Sequence, residues 1–285
     1  MGATTWTIRD VLDWATKDFK GRGIDTARLD AELLVAEALG IERIGLYLDL
    51  NRPLLEAERS AIRPLIARRR EREPVAYILG RRDFYGRCFE VTPDVLIPRP
   101  DTEALVERAL ERIPKDGTVR VLDVGTGSGV VAITLAAERP NAEVTATDIS
   151  EGALRVASRN AERLGVAERI RFERANLLSD DGPYDLVVSN PPYIRSDDLE
   201  LLEPEVRTHE PSAALAGGED GLDVIRALLD RVASATVAGA DLLVEVGLGQ
   251  ADDVAALALA SPDWIHEATY LDLNRVERVV HLRRT

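Results

Sequence analysis

The sequence predicts an α/β protein: a mostly parallel, seven-stranded sheet with helices on both faces, preceded by a small helical domain. Three observations predict it. From residue 119 onward, short apolar runs rich in Val, Ile and Leu alternate with longer amphipathic stretches, the pattern of repeated βαβ units. A glycine-rich turn, Gly125-Thr126-Gly127-Ser128-Gly129, stands where the first such run meets the first such stretch. The first 74 residues show helical periodicity instead.

Taken in order, Thr7-Ile8-Arg9-Asp10 resembles a capping box, and Ile8, Val11, Leu12, Ala15 and Phe19 recur behind it at helical spacing. A second helix is expected from about residue 26 to Gly40, and a longer one over 55–72. The last turn of the latter carries Arg68, Arg69, Arg70 and Arg72, positive charge at the negative end of the helix dipole. This run reads as a solvated helix end or as a docking patch for an acidic or nucleic-acid-bearing partner. Over residues 75–100 short apolar runs such as Val75-Ala76-Tyr77-Ile78-Leu79-Gly80 and Phe89-Glu90-Val91 predict a β-hairpin linker. Residues 101–285 then form the α/β domain, opening with a helix at Asp101-Thr102-Glu103. Strands are expected at 119–124, 143–149, 170–174, 184–189 and 241–246. The accompanying helices are expected at 129–138, 152–164, 221–235 and 251–260. The last two strands, 265–271 and 275–282, are too close for a crossover helix and must pair antiparallel. A long loop rich in Pro, Glu and Asp follows the fourth strand, and loops of that kind are usually functional.

Composition narrows the classes. With 285 residues, 45% hydrophobic and 30% charged, the chain buries a real core. Cys88 is the only cysteine, which excludes an internal disulfide framework and a cysteine-based zinc site. His209, His266 and His281 lack metal-ligand spacing, so no metal is expected. No window approaches the ~18 consecutive apolar residues that span a bilayer. The start, Met1-Gly2-Ala3-Thr4-Thr5-Trp6, has no basic segment followed by an apolar stretch, so a soluble cytoplasmic protein is expected. No heptad or large apolar stripe demands a dimer, so a monomer is expected.

Charge is uneven. Residues 1–74 carry 13 basic and 13 acidic side chains, and the other 211 carry 23 and 37, so the whole net charge of −14 lies in the latter. Such a segment is a poor platform for a long nucleic-acid duplex, whose phosphates attract a basic face. A local basic groove survives only where it lies more than a Debye length, about 8–10 Å, from the acidic groups.

The glycine loop admits a ligand because glycine turns sharply and puts no Cβ in the way. A dinucleotide site wants G-x-G-x-x-G, and Val130 stands where the last residue of that motif belongs. The actual spacing, G-x-G-x-G preceded by Asp123, is similar to the first motif of S-adenosylmethionine-dependent methyltransferases. Asp148 ends the next strand, where a carboxylate can accept both hydroxyls of a ribose in either cofactor class. The loop alone leaves three readings open: the methyl donor, a nicotinamide cofactor, or a tight turn without a ligand.

Asn190-Pro191-Pro192-Tyr193 follows the fourth strand, outside the carboxyl ends of the strands, where open α/β sheets bind ligands. It resembles the [Asn/Asp/Ser]-Pro-Pro-[Tyr/Phe] signature of methyltransferases that modify a planar –NH2 nitrogen. Such a nitrogen is a weak nucleophile because its lone pair is delocalised. The Asn190 side-chain oxygen and the Pro191 carbonyl can each accept one N–H, aim the lone pair, and stabilise the positive charge that develops. Prolines remove competing donors and stiffen the backbone, and Tyr193 offers a face for the planar group. Adenine in DNA, adenine or guanine in RNA, and a glutamine amide in a protein are the three substrate classes that share the motif.

Beyond this motif the chain resembles the bacterial release factor glutamine methyltransferases, the PrmC/HemK family. The resemblance runs through Tyr77-Ile78-Leu79-Gly80, Phe84-Tyr85-Gly86 and Leu96-Ile97-Pro98-Arg99-Pro100-Asp101-Thr102-Glu103. It continues through the glycine loop, Asn190 to Ile194, Glu210-Pro211, Leu215, Gly217-Gly218 and Asp220-Gly221-Leu222. It implies a Rossmann-like class I methyltransferase domain behind a helical substrate-recognition domain (residues 1–74). It also implies S-adenosyl-L-methionine as donor, S-adenosyl-L-homocysteine as product, and class I peptide chain release factors as substrate. The target it implies is the N5 amide of the glutamine in their Gly-Gly-Gln motif. By position, Asp123, Gly125, Thr126, Gly127, Ser128, Gly129, Asp148 and Ile149 hold the donor, with Asn176 and Leu177 at its adenine and Asn190 beside it. The family often has an acidic residue where Asn176 stands. Asn190, Pro191, Pro192 and Tyr193 take the glutamine amide, Asn190, Pro191 and Tyr193 acting in catalysis, and Arg99 and Glu103 wall the pocket. A DNA or RNA exocyclic-amine methyltransferase is the alternative, and it predicts a base-flipping pocket and a broad basic track. A binding module without catalysis is the third reading, against which the intact Asn190 acceptor argues.

Overall fold

Strands whose residues are apolar on both sides need helices on both faces, and that requirement organises most of this chain. The computed structural model describes residues 6–178 and 182–285, so the expectation drawn from Met1–Thr5 lies outside the described residues. The chain divides into two units, Met1–Gly80 with Pro204–His209, and Arg81–Glu203 with Glu210–Thr285.

The first unit is helical: α1 (Ile8–Gly21), α2 (Ala27–Leu39), α3 (Arg43–Leu48), α4 (Glu56–Arg70) and α5 (Val75–Leu79). The capping box forms at α1, with Thr7 Oγ1 accepting from Asp10 N and Asp10 accepting from Thr7 N. Leu12, Phe19, Leu34 and Leu46 form its core, each side chain contributing roughly 1.5–3 kcal/mol by leaving water. Two expectations change here. The run 75–79 is a short helix, because Pro74 starts it and Gly80, in the left-handed region at φ +69°, ends it. The arginine run is only in part a solvated helix end, with Arg68 exposed and Arg70 partly exposed. Arg69 is buried, bonding Asp30 and Glu205 at 2.7 Å each, while Arg72 pairs with Glu205 and Arg68 with Glu73. Arg70 reaches Asp18 at 3.1 Å. The positive charge is consumed inside the unit.

The second unit opens with a hairpin, β1 (Arg81–Phe84) and β2 (Arg87–Glu90). Its two-residue turn, Tyr85-Gly86, has positive φ at both positions, matching the twist of the strands. There follow α6 (Thr102–Arg112), β3 (Val119–Val124), α7 (Val130–Glu138), β4 (Ala142–Asp148), α8 (Glu151–Arg163), β5 (Ile170–Arg174) and β6 (Tyr184–Ser189). After α9 (Pro204–His209), which belongs to the first unit, come α10 (Asp223–Val232), β7 (Thr236–Glu245), α11 (Ala251–Leu259), β8 (Trp264–Leu271) and β9 (Glu277–Arg284).

The strand order is β5-β4-β3-β6-β7-β9-β8, parallel from β5 to β7, with β9 antiparallel to both its neighbours. Successive residues point to opposite faces. Leu186 and Val188 join α6 and α7 in one core, while Val187 joins α10 and α11 in the other. The chain builds β3, β4 and β5 in one direction and then returns to place β6 on the other side of β3. This makes a switch point between β3 and β6, with a crevice at their carboxyl ends.

Candidate active site

Two loops leave that crevice, the glycine loop after β3 and Asn190-Pro191-Pro192-Tyr193 after β6. They line one cleft of about 380 Å³. The glycine loop is tied down from below. Gly125 N and Thr126 N both donate to the Thr147 carbonyl at 2.9 Å, so β4 holds the turn. Gly125 (φ +74°) and Gly127 (φ +57°) adopt left-handed conformations, and the space a Cβ would occupy at either is open. Gly129 does different work: a Cβ there would come within 2.7 Å of Ile133 and 3.1 Å of Ala157, so it allows close packing and does not line the cleft.

Asp123 is buried and organises the same turn, accepting from the Thr126 hydroxyl at 2.7 Å and from Ala132 N at 3.1 Å. Burial pushes its carboxyl up to about 6, against those hydrogen bonds, which favour the charged form. Asp148, at the end of β4, accepts Gly127 N at 2.9 Å on one oxygen and Ser150 N at 2.8 Å on the other. Burial raises its pKa, and the two backbone donors hold the carboxylate in a fixed plane with lone pairs left over. Beside it Ile149 is 59% exposed, an apolar face on the cleft wall. Asn176 and Leu177 lie on the same wall, Leu177 at φ +74°, strain of the kind that gathers at functional sites. The buried Thr147 hydroxyl donates to the Leu177 carbonyl at 2.5 Å and secures that conformation.

Asn190, half-buried, lines the cleft and donates from Nδ2 to Thr102 Oγ1 at 3.1 Å. Pro191 and Pro192 line it too. Tyr193 does not; its ring packs beside Gly247 and its carbonyl accepts from Gln250 Nε2 at 3.0 Å. Burial first, and then the charge of Glu245, push its phenol up to about 12, so it stays neutral. Arg99 lines the cleft while bound to the buried Glu210 at 2.5 Å; Glu103 lies off it, accepting from Tyr85 N at 2.9 Å. Motif spacing alone did not point to Thr102 as a partner of Asn190, nor to the buried Glu245 beside them. No group of three or more His, Cys, Asp or Glu among the described residues is arranged to hold a metal ion.

The long loop after β6 is clamped onto this motif. Ile194 bridges Ala216, and a Cβ on Gly217 would come within 2.8 Å of Tyr193 Cα. Gly221, at φ +81°, lies against the Tyr193 carbonyl. Gly221→Ala is therefore expected to shift the Tyr193 backbone and lower kcat roughly 100-fold, as misplacements near 1 Å do, with a stability cost of about 1–3 kcal/mol. Steady-state kinetics and denaturant midpoints check this; a variant with normal turnover would mean that the clamp does not set the motif.

The open glycine cradle, the oriented Asp148 carboxylate and the exposed Ile149 face fit S-adenosylmethionine, which presents a ribose, a flat base and a charged tail. Doubly wound sheets that end in a reversed hairpin and carry this pair of loops form the Rossmann-like class I methyltransferases, and the chain is one of them. Residues 102–203 match a family model described as a methyltransferase small domain, and residues 10–80 one described as the PrmC N-terminal domain. The release factor glutamine methyltransferase of Geobacter sulfurreducens is 46% identical over 277 residues, covering 96% of each chain. That of Bradyrhizobium diazoefficiens is 42% identical over 265 residues, covering 92% of this chain and 89% of the relative. A crystal structure of a methyltransferase from Pyrococcus furiosus shares the fold, with a TM-score of 0.53 at 17% identity over 70% of this chain and 90% of that one. The chain belongs to the release factor glutamine methyltransferase family. These relatives do not favour the nucleic-acid alternative.

Proposed function

We propose that the protein methylates the side-chain amide nitrogen, N5, of the glutamine in the Gly-Gly-Gln motif of class I release factors, turning S-adenosylmethionine into S-adenosylhomocysteine. The observation that carries this reading is the Asn190 carboxamide, which lines the same cleft as the glycine loop and Asp148 in a chain of this family. Gly125, Thr126, Gly127 and Ser128 cradle the donor's tail, Asp148 accepts from its ribose hydroxyls, and Ile149, Asn176 and Leu177 flank its adenine. Asp123 and Gly129 hold the cradle in shape. Bound there, the donor supplies an electrophilic methyl group on a sulfonium.

Asn190 Oδ1 and the Pro191 carbonyl each accept one N–H of the target amide, which fixes its plane and turns its lone pair toward the donor. Both acceptors stabilise the positive charge that grows on nitrogen, and once the new C–N bond has formed and the S–C bond has broken, the N–H of the cationic amide is acidic enough to leave to solvent without a dedicated base. Pro192 and Tyr193 stiffen the turn that carries them, and Arg99 and Glu103 support the wall of the pocket. Residues 1–74 are the part we assign to recognition of the release factor. They offer a groove of about 540 Å³ lined by Trp6, Trp14, Ile62 and Ile66. The proposal puts the reaction in the cytoplasm, where release factors act, with the protein as a monomer that does not bind long nucleic acid. The acidic balance of its larger part supports that last point, and no helix among the described residues is long and apolar enough to cross a membrane.

Radiolabelled S-adenosylmethionine with purified release factor, and with a Gln→Ala variant of its Gly-Gly-Gln loop, tests the reading. Label confined to the wild-type factor is the expected result. Label that ignores the variant, or that appears only on added RNA or DNA, overturns the substrate while leaving the methyltransferase class intact.

A further inference from the structure

Glu245 ends β7 at the crevice and is 1% exposed, yet neither of its carboxylate oxygens has a hydrogen-bond partner. It lies beside the Thr102 and Asn190 side chains, close enough that donation from either favours its charged form, though neither contact reaches full hydrogen-bond geometry. Interior acceptors are rarely left this way, because an unpaired one forfeits its hydration with nothing in return. Thr102 Oγ1 already accepts the Nδ2 hydrogen of Asn190, which leaves the hydroxyl proton of Thr102 to find an acceptor.

An ionised carboxylate accepts and never donates, so beside Thr102 it can only take the hydroxyl proton. The hydroxyl oxygen is then bound to accept, and the group it accepts from is Asn190 Nδ2. A carboxamide has two orientations of nearly equal shape, and only one of them offers an oxygen to the substrate. The other offers an NH2 facing the substrate's own N–H groups. We propose that Glu245, acting through the Thr102 hydroxyl, is a positioning residue that holds the Asn190 carboxamide with its oxygen toward the substrate amide. The inference rests on the reading of Asn190 as the amide acceptor.

Protonation reverses the logic, since a neutral Glu245 can donate to Thr102, whose proton is then free to turn toward Asn190. Burial pushes Glu245 up to about 7. The charged and titratable groups facing it are Arg278 on β9, which lowers its pKa, Asp101 beside α6, which raises it, and Tyr193 after β6. Turnover therefore rises with pH as Glu245 ionises.

The test uses the full chain with Glu245→Gln, Thr102→Val, Thr102→Ser and the Glu245→Gln/Thr102→Val double variant. kcat on release factor is measured across about pH 6 to 9, with donor affinity by calorimetry. Glu245→Gln and Thr102→Val are each expected to lower kcat roughly 10–100-fold, the range lost when partners that orient a site's ligands are removed. Donor affinity stays within about twofold, Thr102→Ser keeps kcat, and the double variant is no slower than the worse single, because one relay is broken once. The ionisation near pH 7 disappears in Glu245→Gln. Normal kcat in Glu245→Gln or Thr102→Val, additive losses, or a parallel loss of donor affinity would overturn the proposal. Asn190→Ala separates the two readings. If it abolishes turnover while Glu245→Gln does not, the relay fails alone; if Asn190→Ala turns over normally, the amide-acceptor reading fails with it.

Discussion

Asn190→Ala is expected to methylate release factor on the order of 10²–10³ times more slowly than the wild-type protein, the loss typical of one preorganised polar group. On the proposed mechanism the deficit belongs in kcat, because Asn190 Oδ1 would meet the amide most strongly once the nitrogen turns positive. Binding of S-adenosylmethionine changes little, since the glycine cradle and Asp148 remain. Asp148→Ala is expected to show the opposite pattern, weakening the donor by about 2 kcal/mol, a charged hydrogen-bond acceptor's worth, with far less effect on kcat at saturation. Single-turnover rates and calorimetric donor affinities on the two variants separate the roles. Undiminished turnover in Asn190→Ala would remove the mechanism.

Glu245→Gln is expected to stabilise the fold at alkaline pH even as it slows the enzyme. Burial raises the carboxyl from its ordinary value of 4.5 to about 7. Between those values the folded chain binds a proton that the unfolded chain has released, so stability falls as pH rises. The contribution is fully present below about pH 4.5 and is gone above about pH 7, a loss of about 3 kcal/mol in all. Glutamine does not titrate. Relative to wild type, the variant therefore gains up to about 3 kcal/mol between about pH 4.5 and 8, read as the change in urea unfolding free energies. A stability difference that stays flat with pH would mean that Glu245 is charged at little cost. A site residue whose removal stabilises the fold and slows the reaction is what a strained functional group predicts.

Much of this architecture is legible one segment at a time. The residues of β5 and β6 coincide with the runs 170–174 and 184–189, β6 because a buried parallel strand is a largely continuous apolar stretch, and β5 because Ile170 and Phe172 alternate with charged residues on an edge strand. The helix expected over 26–40 ends at Gly40, in the left-handed region as its position requires. Short elements resist this treatment. Five apolar residues, 75–79, carry no period that separates a strand from a helix, and the proline and glycine at their ends decided the matter. β7 begins at Thr236, earlier than expected, because Thr236 pairs with Tyr184 of β6, while Ala238, Gly239 and Ala240, which give no strand signal, fall in the irregularity before Asp241 pairs with Leu186.

The site divides the same way. Local sequence determined which groups are available: glycines that open a turn, a carboxylate at a strand end, and an Asn-Pro-Pro-Tyr turn at the switch point. It also determined the acidic balance that argues against long nucleic acids. Tertiary structure decided how those groups are used. It turned Gly129 into a packing contact, set Tyr193 and Glu103 off the cleft, and buried Arg69 between Asp30 and Glu205. It also brought Thr102, Asn190 and Glu245 together from three distant parts of the chain. Burial and hydrogen-bond partnership depend on every element packed around a group, and a carboxylate's charge depends on both, so no window of sequence contains them.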